Sequence, residues 1–328
     1  MVTIQDIAKR AGVAKSTVSR YLNGGSVSEQ TAILLKKIIE EENYTPSPFA
    51  RSLKAKHTNI IGVIIPRLNS AATAHTLQGI EQEAQQRGYK LLIANTNQQV
   101  EQELAAIYQF AKDKVAGIVL LATEITPDHI QAFNEVMVPH IVVGQQNDEL
   151  YCVVHDDYDA GKKLAEKMVA LGHQHVMYVG VSPKDKAVGI TRRDGVLETL
   201  ARYTQVSVHV EESTFSSKDA VAKGEQLFKN MEDTIVIAAT DNMAVGLLKA
   251  AHNCGVKIPE DVSIAGFGGY EIGEFVHPSL STVKYQFTKA GVLAMELLTK
   301  RMKGKKCAKC TLVPTKIMMR ESTKEVEV

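Results

Sequence analysis

Side chains that can hydrogen-bond to nucleic acid are concentrated in a short stretch near the start of the chain. Lysine, serine, threonine and arginine occur close together there, as Lys15, Ser16, Thr17, Ser19 and Arg20. Lysine and arginine donate to the base edges and phosphates of DNA, and hydroxyl groups bond to phosphate oxygens. This stretch therefore predicts a surface that binds double-stranded DNA.

Two short amphipathic segments joined at Gly12 have to position these side chains. Apolar residues recur at helical spacing on both sides of the glycine, at Ile4, Ile7, Ala8, Ala11, Val18 and Leu22. A polar, glycine-marked turn between two short helices is typical of a helix-turn-helix. A third helix is predicted from Ser28, which can cap it, to Glu42. Its apolar stripe is expected at Ile33, Leu34 and Ile38, with Leu35 as a further candidate.

A short proline-initiated segment follows the three helices. Pro48 suits the first position of a helix and Ser47 its cap, although a helix of about two turns is marginal in water. Phe49 and Leu53 are four residues apart, with cations around them. These features favour a hinge helix that becomes ordered on DNA, with a plain tether as the alternative.

The pattern changes to alternating strands and helices from Asn59 onward. Apolar runs predict strands at Ile60–Ile65, Lys90–Ala94, Gly117–Ala122, His140–Val143, Val176–Val179, Thr234–Ala239 and Ser263–Phe267. Amphipathic segments predict helices at Thr76–Arg87, Gln102–Lys112, Asp159–Leu171, Thr191–Tyr203 and Asn242–Asn253. This alternation predicts parallel sheets in an α/β fold. The number of units favours two Rossmann-like lobes, with a ligand at the carboxyl ends of the strands.

Charge is distributed unevenly along the 328 residues. The net charge is only +1, but residues 1–60 carry nine Lys/Arg and five Asp/Glu, which gives this part a net charge of +4. A basic head on a mildly acidic body suits a DNA-binding unit attached to a regulatory domain. Because neither a membrane-spanning apolar run nor a signal peptide is found, we expect a cytoplasmic protein without a membrane partner.

Neither a metal nor a cofactor is predicted. Cys307 and Cys310 form a C-x-x-C, but a zinc site needs a second pair of ligands, which the sequence lacks. The glycines near residue 268 lack the spacing of a dinucleotide-binding loop, because Glu271 stands where the third glycine is required. No nucleophile and base occur at catalytic spacing, so no enzyme activity is expected.

The motifs of the head carry a resemblance that extends along nearly the whole chain. From Asp6 the sequence reads D-I-A-K-R-A-G-V-A-K-S-T-V-S-R-Y-L-N, and from Asn43 it reads N-Y-T-P-S-P-F-A-R-S-L-K-A-K-H-T-N-I-I-G-V-I-I-P. Later segments are T-R-R-D-G from Thr191, A-T-D-N-M-A-V-G from Ala239 and I-P-E-D-V-S-I-A-G-F-G from Ile258. Together they resemble the lactose-repressor/galactose-repressor (LacI/GalR) family of bacterial transcription regulators, and within it the sucrose-operon repressors of Gram-positive bacteria.

The resemblance implies an all-α helix-turn-helix head at residues 1–46, a hinge helix or linker at 47–58 and a two-lobed core like that of a periplasmic binding protein. The N-terminal lobe is expected at 59–157 and 287–315, and the C-terminal lobe at 158–286 and 316–328, with an effector cleft between them. The family pattern also implies a homodimer on a pseudo-palindromic operator, and it leaves a co-repressor protein open.

The resemblance assigns DNA contacts to the head and hinge. The positions that read bases are Lys15, Ser16 and Arg20. The positions expected at phosphates are Thr17, Ser19 and Asn23. Leu53 matches the hinge leucine that family members insert into the minor groove, where the cost of unstacking is offset by contacts to the bent DNA.

The resemblance also assigns effector contacts. Arg192 matches an arginine that holds sugar hydroxyls or a carboxylate, and Phe215 matches an aromatic residue that stacks on the ligand, with ordinary core packing as the alternative. Thr240 is the better candidate for a ligand contact, and Asp241 is the better candidate for a helix cap.

Two departures from the family pattern leave the effector open. Gly268 and Gly144 stand where many sugar-binding members have aspartates. The substitutes that the sequence offers are Gln145, Glu271 and Tyr285. Further polar groups follow the first strand, at Arg67, Asn69 and Ser70. Because arginine binds phosphate oxygens in bidentate fashion, Arg67 with Arg192 suits a phosphorylated sugar, and a neutral sugar such as sucrose remains an equal alternative.

The sequence therefore predicts a DNA-binding repressor of a carbohydrate-utilisation operon, controlled allosterically by a sugar or a sugar phosphate. The alternatives are a sugar-binding or sugar-modifying enzyme on the same α/β scaffold and a transport binding protein. The missing G-x-x-x-x-G-K-[ST] motif opposes a kinase, and the basic head opposes a transport protein. Inducer and corepressor both remain open, because either arrangement of the lobes can be competent for DNA.

Overall fold

The computed structural model describes residues 2–22, 24–42, 44, 58–229 and 231–326. The chain divides into two compact units, Met1–Thr58 and Asn59–Val328. Asn23, Leu53 and the predicted hinge segment up to residue 57 lie outside the described residues. No helix in the described part of the chain has the length and apolar character needed to span a bilayer.

The described part of the first unit contains three helices, which form the head. They are α1 (Ile4–Arg10), α2 (Lys15–Leu22) and α3 (Glu29–Glu41). Thr3 caps α1 in a capping box with Asp6, and Ser28 caps α3, so that both side chains satisfy amides that lack partners within their helices. Gly12 has a φ of 66° in the turn between α1 and α2, a conformation that favours glycine. The predicted helix-turn-helix is confirmed.

A small apolar core holds the head together. Its buried members are Ile7, Ala8, Ala11, Val18, Leu35 and Ile38. The prediction for the apolar stripe of α3 is wrong in part, because Ile33 and Leu34 are 65% and 42% exposed. Leu35 and Ile38 are three residues apart and share one helix face, so α3 buries a narrower stripe than its sequence indicates.

Two six-stranded sheets form the framework of the second unit. The first sheet contains β1 (Ile60–Ile65), β2 (Lys90–Asn95), β3 (Gly117–Leu121), β4 (His140–Val143), β5 (Cys152–His155) and β11 (Cys310–Val313), in the order β11-β5-β4-β3-β1-β2. The second contains β6 (His175–Gly180), β7 (Ser207–Glu212), β8 (Ile235–Ala238), β9 (Ser263–Gly268), β10 (Ser281–Lys284) and β12 (Lys316–Met318), in the order β12-β10-β9-β8-β6-β7. The first sheet is parallel throughout, and in the second β12 is antiparallel to β10. The predicted α/β fold with two sheets is confirmed.

Helices accompany both sheets. Those of the first sheet are α4 (Ala71–Gln86), α5 (Val100–Lys112), α6 (Pro127–Val136) and α12 (Phe287–Met302). Those of the second sheet are α7 (Asp157–Ala170), a π-helix (Lys186–Arg192), α8 (Arg193–Leu200), α9 (Ser217–Leu227), α10 (Asp241–Cys254) and α11 (Ile272–Phe275). We call the first sheet with its helices the first lobe and the second sheet with its helices the second lobe.

The boundaries of two helices differ from the sequence prediction by more than two residues. Helix α4 begins at Ala71 rather than Thr76, because the Ser70 hydroxyl caps it by accepting a hydrogen bond from the Thr73 amide at 3.3 Å. The predicted helix Thr191–Tyr203 is instead a π-helix followed by α8. The π-helix widens the backbone by one residue per turn, and such segments are frequent at functional sites.

The chain crosses between the two lobes three times, after β5, after β10 and after β11. Side chains tie these crossovers together. The Tyr285 hydroxyl donates to Asp157 Oδ1 at 2.7 Å, and Gln286 Nε2 donates to the Pro314 carbonyl at 2.9 Å. The junction between the lobes is therefore a bonded structure rather than three independent strands of chain.

Candidate functional site

Helix α2 carries the predicted DNA-binding side chains on the surface of the head. Lys15 and Ser16 are exposed in its first turn, and Arg20 is exposed one turn later. Val18 is fully buried, so the head core fixes the rotation of the helix. Thr17 and Ser19 are half-buried. A helix surface with two exposed cations and no acidic residue attracts phosphate groups.

A cavity of about 380 Å³ lies between the two lobes. Its walls consist of residues at and after the carboxyl ends of β1, β3, β4 and β5 on one side and of β6, β7, β8 and β9 on the other. Ligands of open α/β sheets bind at this edge, and small-molecule sites have volumes of about 300–1,000 Å³. The cavity is therefore the candidate effector site.

Arg192 lies at the end of the π-helix, lines the cavity and is almost completely buried. Its Nε and Nη2 donate to Asp157 Oδ1 at 2.9 and 2.6 Å, and its Nη1 donates to the Ala239 carbonyl at 2.6 Å. Tyr285, which bonds to the same carboxylate oxygen, has its ring centroid 4.8 Å from the guanidinium carbon. Burial alone lowers the pKa of Arg192, but Tyr285 and Asp157 raise it above its usual value. The charge of Arg192 is thus neutralised within the protein, and its unused N–H groups are available to a ligand.

Arg67 and Phe215 meet across the cavity. Arg67 follows β1 in the first lobe, Phe215 follows β7 in the second, and the guanidinium carbon lies 4.1 Å from the ring centroid. This is the geometry of a cation–π contact. The Arg67 Nε is buried without a hydrogen-bond partner. Burial lowers the pKa of Arg67, and the charge of Asp185 opposes that shift. Phe215 therefore presents one ring face to a cation of the opposite lobe.

His155 is a cavity residue that the sequence does not predict. It ends β5, and its Nε2 is buried without a hydrogen-bond partner. The rings of Tyr285 and Phe287 pack edge-on against it, with centroid distances of 5.0 and 5.3 Å. Burial lowers the pKa of His155 to about 4, so its imidazole is neutral near pH 7. A neutral imidazole can exchange one hydrogen bond with a ligand hydroxyl.

Asp185 is a second unpredicted cavity residue. It precedes the π-helix and accepts a hydrogen bond from the Val188 amide at 3.1 Å. Burial raises the pKa of Asp185. The sequence could have indicated Asp185, His155 and Asp157 as candidate cavity residues, because each lies at or after the carboxyl end of a strand, where ligands of parallel sheets bind.

The structure separates the predicted effector residues into two groups. The cavity is lined by Arg67, Asn69, Ser70, Arg192, Phe215 and Thr240. The cavity walls do not include Gln145, Asp241, Glu271 and Tyr285, all of which are described residues. Gln145 lines a depression that shares Gly144 and His155 with the cavity, and Glu271 lines one that shares Gly268 and Tyr270 with it. Tyr285 lies behind Arg192 and acts on the cavity only through that residue.

Asp241 does not cap α10, and this part of the prediction is wrong. The cap is Thr240, whose hydroxyl accepts a hydrogen bond from the Met243 amide at 3.4 Å. Asp241 is fully buried and accepts from Thr282 Oγ1 at 2.6 Å and from the Tyr270 amide at 2.9 Å. Asp241 lies in the first turn of α10 and accepts hydrogen bonds from β10 and from the loop after β9. These bonds hold that loop, which forms part of the cavity wall, in place.

The surroundings of Cys310, the second cysteine of the C-x-x-C, disfavour a reactive thiolate. Cys310 lies beside the buried Cys152 on the neighbouring strand. Burial, together with Cys152, raises the pKa of Cys310 to about 12, which disfavours the nucleophilic and metal-binding thiolate. Among the residues that the structure describes, no group of three or more His, Cys, Asp or Glu side chains is arranged to hold a metal ion.

Two protein-family sequence models match the chain. One, described as bacterial regulatory proteins of the lacI family, matches residues 3–47, and the other, a periplasmic binding protein-like domain, matches residues 165–323. Head and cavity together define the class of protein: a transcription regulator in which a helix-turn-helix is joined to a ligand-binding core.

Individual relatives support the same assignment. The chain is 39% identical over 302 residues to the sucrose operon repressor of Staphylococcus xylosus, which covers 91% of this chain and 93% of the relative. It is 31% identical to the ribose operon repressor of Halalkalibacterium halodurans, over 99% of this chain and 98% of the relative. The crystal structure of the lac repressor dimer bound to operator and the anti-inducer ONPF matches with a TM-score of 0.89 and 25% identity, over 98% of this chain and 99% of that one.

The chain belongs to the lacI family of bacterial transcription regulators. The two relatives named above are operon repressors and not enzymes, so the enzyme alternative is not favoured.

Proposed function

We propose that this protein represses a carbohydrate-utilisation operon, that it binds a pseudo-palindromic operator as a homodimer, and that a sugar or sugar phosphate in the cavity controls operator affinity. The observation that carries the proposal is a cavity between two lobes, lined by both apolar and charged side chains, in the same chain as a basic, exposed helix α2. Identity to a sucrose operon repressor favours a sucrose-related signal. A protein with this function works in the cytoplasm, at its operator.

In this proposal the head reads DNA through α2. Base contacts are assigned to Lys15, Ser16 and Arg20, and phosphate contacts to Thr17, Ser19 and Asn23. Leu53, outside the described residues, inserts into the minor groove at the operator centre.

In this proposal, the affinity for operator DNA depends on the relative position of the two lobes. We assign residues 59–157 and 287–315 to one lobe and 158–286 and 316–328 to the other. A ligand in the cavity contacts both lobes and therefore favours one of their arrangements. Ligand and operator are then thermodynamically coupled, and each changes the affinity of the other by the same factor.

Fluorescence anisotropy with a pseudo-palindromic DNA selected from a random library tests DNA recognition. Arg20→Gln removes an exposed cation of α2, and we expect a loss of about 1–3 kcal/mol, or about 5- to 150-fold in affinity, together with relaxed preference at one base. Lys36→Gln, at an exposed site on α3, is the matched control and retains full affinity. The proposal fails if the wild-type chain binds no DNA sequence selectively under any ligand condition.

Leu53→Ala tests the hinge. We expect a strong loss of operator affinity, because the wedge that opens the minor groove is removed, while sugar binding measured by calorimetry is unchanged. Operator affinity equal to that of the wild type would contradict the hinge assignment.

A further inference from the structure

Six cations lie within ten residues at the end of α12 and in the segment that follows it. We call them the cationic cluster; they are Lys300, Arg301, Lys303, Lys305, Lys306 and Lys309. The five lysines are exposed, and no acidic residue occurs between Glu296 and Glu321. Because the whole chain carries +1 and residues 1–60 carry +4, the remainder carries −3. The cluster is therefore a local basic surface on an acidic core.

Carboxylates of the protein do not pair with the cationic cluster. None of its six members forms an ion pair within the part of the chain that the structure describes. Lys309 Nζ donates to the backbone carbonyl of Glu149 at 2.6 Å, not to its carboxylate. Cations in the last turn of a helix compensate its dipole, which accounts for Lys300 and Arg301. The four lysines beyond α12 lie outside that turn, so the helix end does not explain them.

An aromatic side chain holds two members of the cluster on the first lobe. Tyr151 directly precedes β5, and its ring centroid lies 4.0 Å from the guanidinium carbon of Arg301 and 4.8 Å from Lys309 Nζ. These are cation–π distances. Arg301 Nη1 also donates to the His140 carbonyl at 2.5 Å. Burial is the main cause of the lowered pKa of His140, and the charges of Arg301 and Lys309 lower it further. The positive field of the cluster therefore extends to the start of β4.

The cationic cluster lies at the edge of the first sheet where the chain enters the core. All strands of this parallel sheet begin at one edge. Strand β1 begins there at Ile60, directly after the first unit ends at Thr58. Strand β4 begins at His140, which bonds to Arg301, and β11 begins directly after Lys309. Because neighbouring strands are about 4.8 Å apart, β4 and β11 begin about 10 and 19 Å from β1.

We propose that the cationic cluster binds phosphates of the DNA that flanks the operator, so that the core adds contacts to those of the head. The inference rests on the proposed repressor function and extends DNA binding from the head to the core. A head that is bound to its operator tethers this edge of the core to the duplex, which raises the local concentration of phosphates at the cluster. Lysine binds phosphate as a point charge, and such contacts do not depend on the base sequence.

Fluorescence anisotropy of the full chain with two DNA fragments tests the proposal. One fragment contains only the selected operator, and the other adds about ten base pairs, one helical turn, on each side. We expect tighter binding of the longer fragment and a plot of log K against log salt concentration that is steeper by about 0.9 for each added phosphate contact. Equal affinity and equal slope for the two fragments overturn the inference.

A variant that lacks three charges locates the contact. In the triple variant Lys303→Gln, Lys305→Gln and Lys306→Gln, we expect the slope for the longer fragment to fall by up to about 2.7 per subunit. The affinity for the operator alone stays near that of the wild type, because the head is intact. An unchanged advantage of the longer fragment in this variant overturns the inference.

A second triple variant controls for net charge. Lys218→Gln, Lys229→Gln and Lys257→Gln remove the same charge from exposed sites of the second lobe. This control retains the advantage of the longer fragment and the slope of the wild type. Equal losses in the two triple variants show an effect of net charge alone and overturn the inference.

Chemical labelling reports the contact directly. Acetylation by acetic anhydride, measured by mass spectrometry, is expected to slow at Lys303, Lys305 and Lys306 when the full chain binds the longer fragment, but not when it binds the operator alone. Equal labelling in the two complexes overturns the inference. Protection by polyglutamate, but not by the longer DNA, assigns the cluster to an acidic protein partner and overturns it as well.

The same measurements separate this inference from the proposed function. Selective operator binding that does not depend on fragment length leaves the repressor function intact and overturns the DNA contact of the core. Binding without sequence selectivity that increases with fragment length, and that the cluster variant loses, overturns the repressor function and supports the contact. Absence of all DNA binding overturns both.

Discussion

Replacing Asp157 with asparagine removes a negative charge from the most buried polar cluster at the junction of the lobes. Asp157 Oδ1 accepts hydrogen bonds from Arg192 Nε at 2.9 Å, from Arg192 Nη2 at 2.6 Å and from the Tyr285 hydroxyl at 2.7 Å. The side chains of Arg192 and Asp157 are 7% and 10% exposed, so water does not screen the pair. Asparagine retains the acceptor oxygen and nearly the same volume, so the change isolates the charge.

The expected loss of stability follows from these contacts. Removing one partner of a buried ion pair costs about 3–5 kcal/mol, because the other charge stays buried without compensation. Neutral hydrogen bonds that asparagine preserves are worth about 0.5–1.5 kcal/mol each. We therefore expect Asp157→Asn to lower the free energy of unfolding by about 3 kcal/mol. For a unit of this size that corresponds to a decrease in melting temperature of about 6–12 °C.

Thermal and urea unfolding of the full chain measures this effect. The matched control is Asp159→Asn, which removes the same charge two residues later from a half-exposed pair with Lys163 and costs at most about 1 kcal/mol. In the double variant with Arg192→Gln, the loss is smaller than the sum of the single losses, because no uncompensated charge remains. The reasoning is refuted if Asp157→Asn costs no more than Asp159→Asn.

Three further perturbations test other parts of the structure. Burial lowers the pKa of His140 from 6.5 to about 4, so stabilisation is present above pH 6.5 and is lost, by up to about 3 kcal/mol, as the pH falls toward 4. Urea unfolding across this range shows a flatter pH dependence for His140→Gln, and an unchanged slope would contradict the assignment. A Cβ at Gly291 of α12 would overlap the backbone of α4, so Gly291→Val lowers the free energy of unfolding by at least about 1–3 kcal/mol. Equal stability of this variant and the wild type in thermal unfolding would contradict the close packing of α4 against α12. Leu92 and Ile93 are 39% and 46% exposed on the edge strand β2, where an apolar surface can pair with a second subunit. Replacing both with aspartate weakens dimerisation in analytical ultracentrifugation. The control Met137→Asp, at an exposed site elsewhere in the first lobe, leaves dimerisation unchanged.

Local patterns were sufficient to predict the head. The α1 and α2 helices follow from apolar spacing around Gly12, and Ser28 begins α3 as a capping residue. Apolar runs likewise predicted seven of the strands, namely β1, β2, β3, β4, β6, β8 and β9. The strands β5, β7, β10, β11 and β12 were not predicted, because they are short or alternate between apolar and polar residues. The apolar stripe of α3 was predicted too broadly, since spacing alone does not show how wide a face its neighbours cover.

The chemistry of the cleft depended on tertiary contacts. From the sequence, Arg67 and Arg192 are equivalent candidates for a phosphate, and Asp241 is a helix cap. In the folded chain Arg192 is paired with Asp157, 35 residues away, while Arg67 faces a phenylalanine of the other lobe. Residue types and spacing thus determined that this protein has a DNA-binding head and a two-lobed α/β sensor, because helices, strands and caps arise from interactions between near neighbours. The partner of each arginine in the cleft was decided only by the tertiary structure, because Asp157 and Phe215 lie far from Arg192 and Arg67 along the chain.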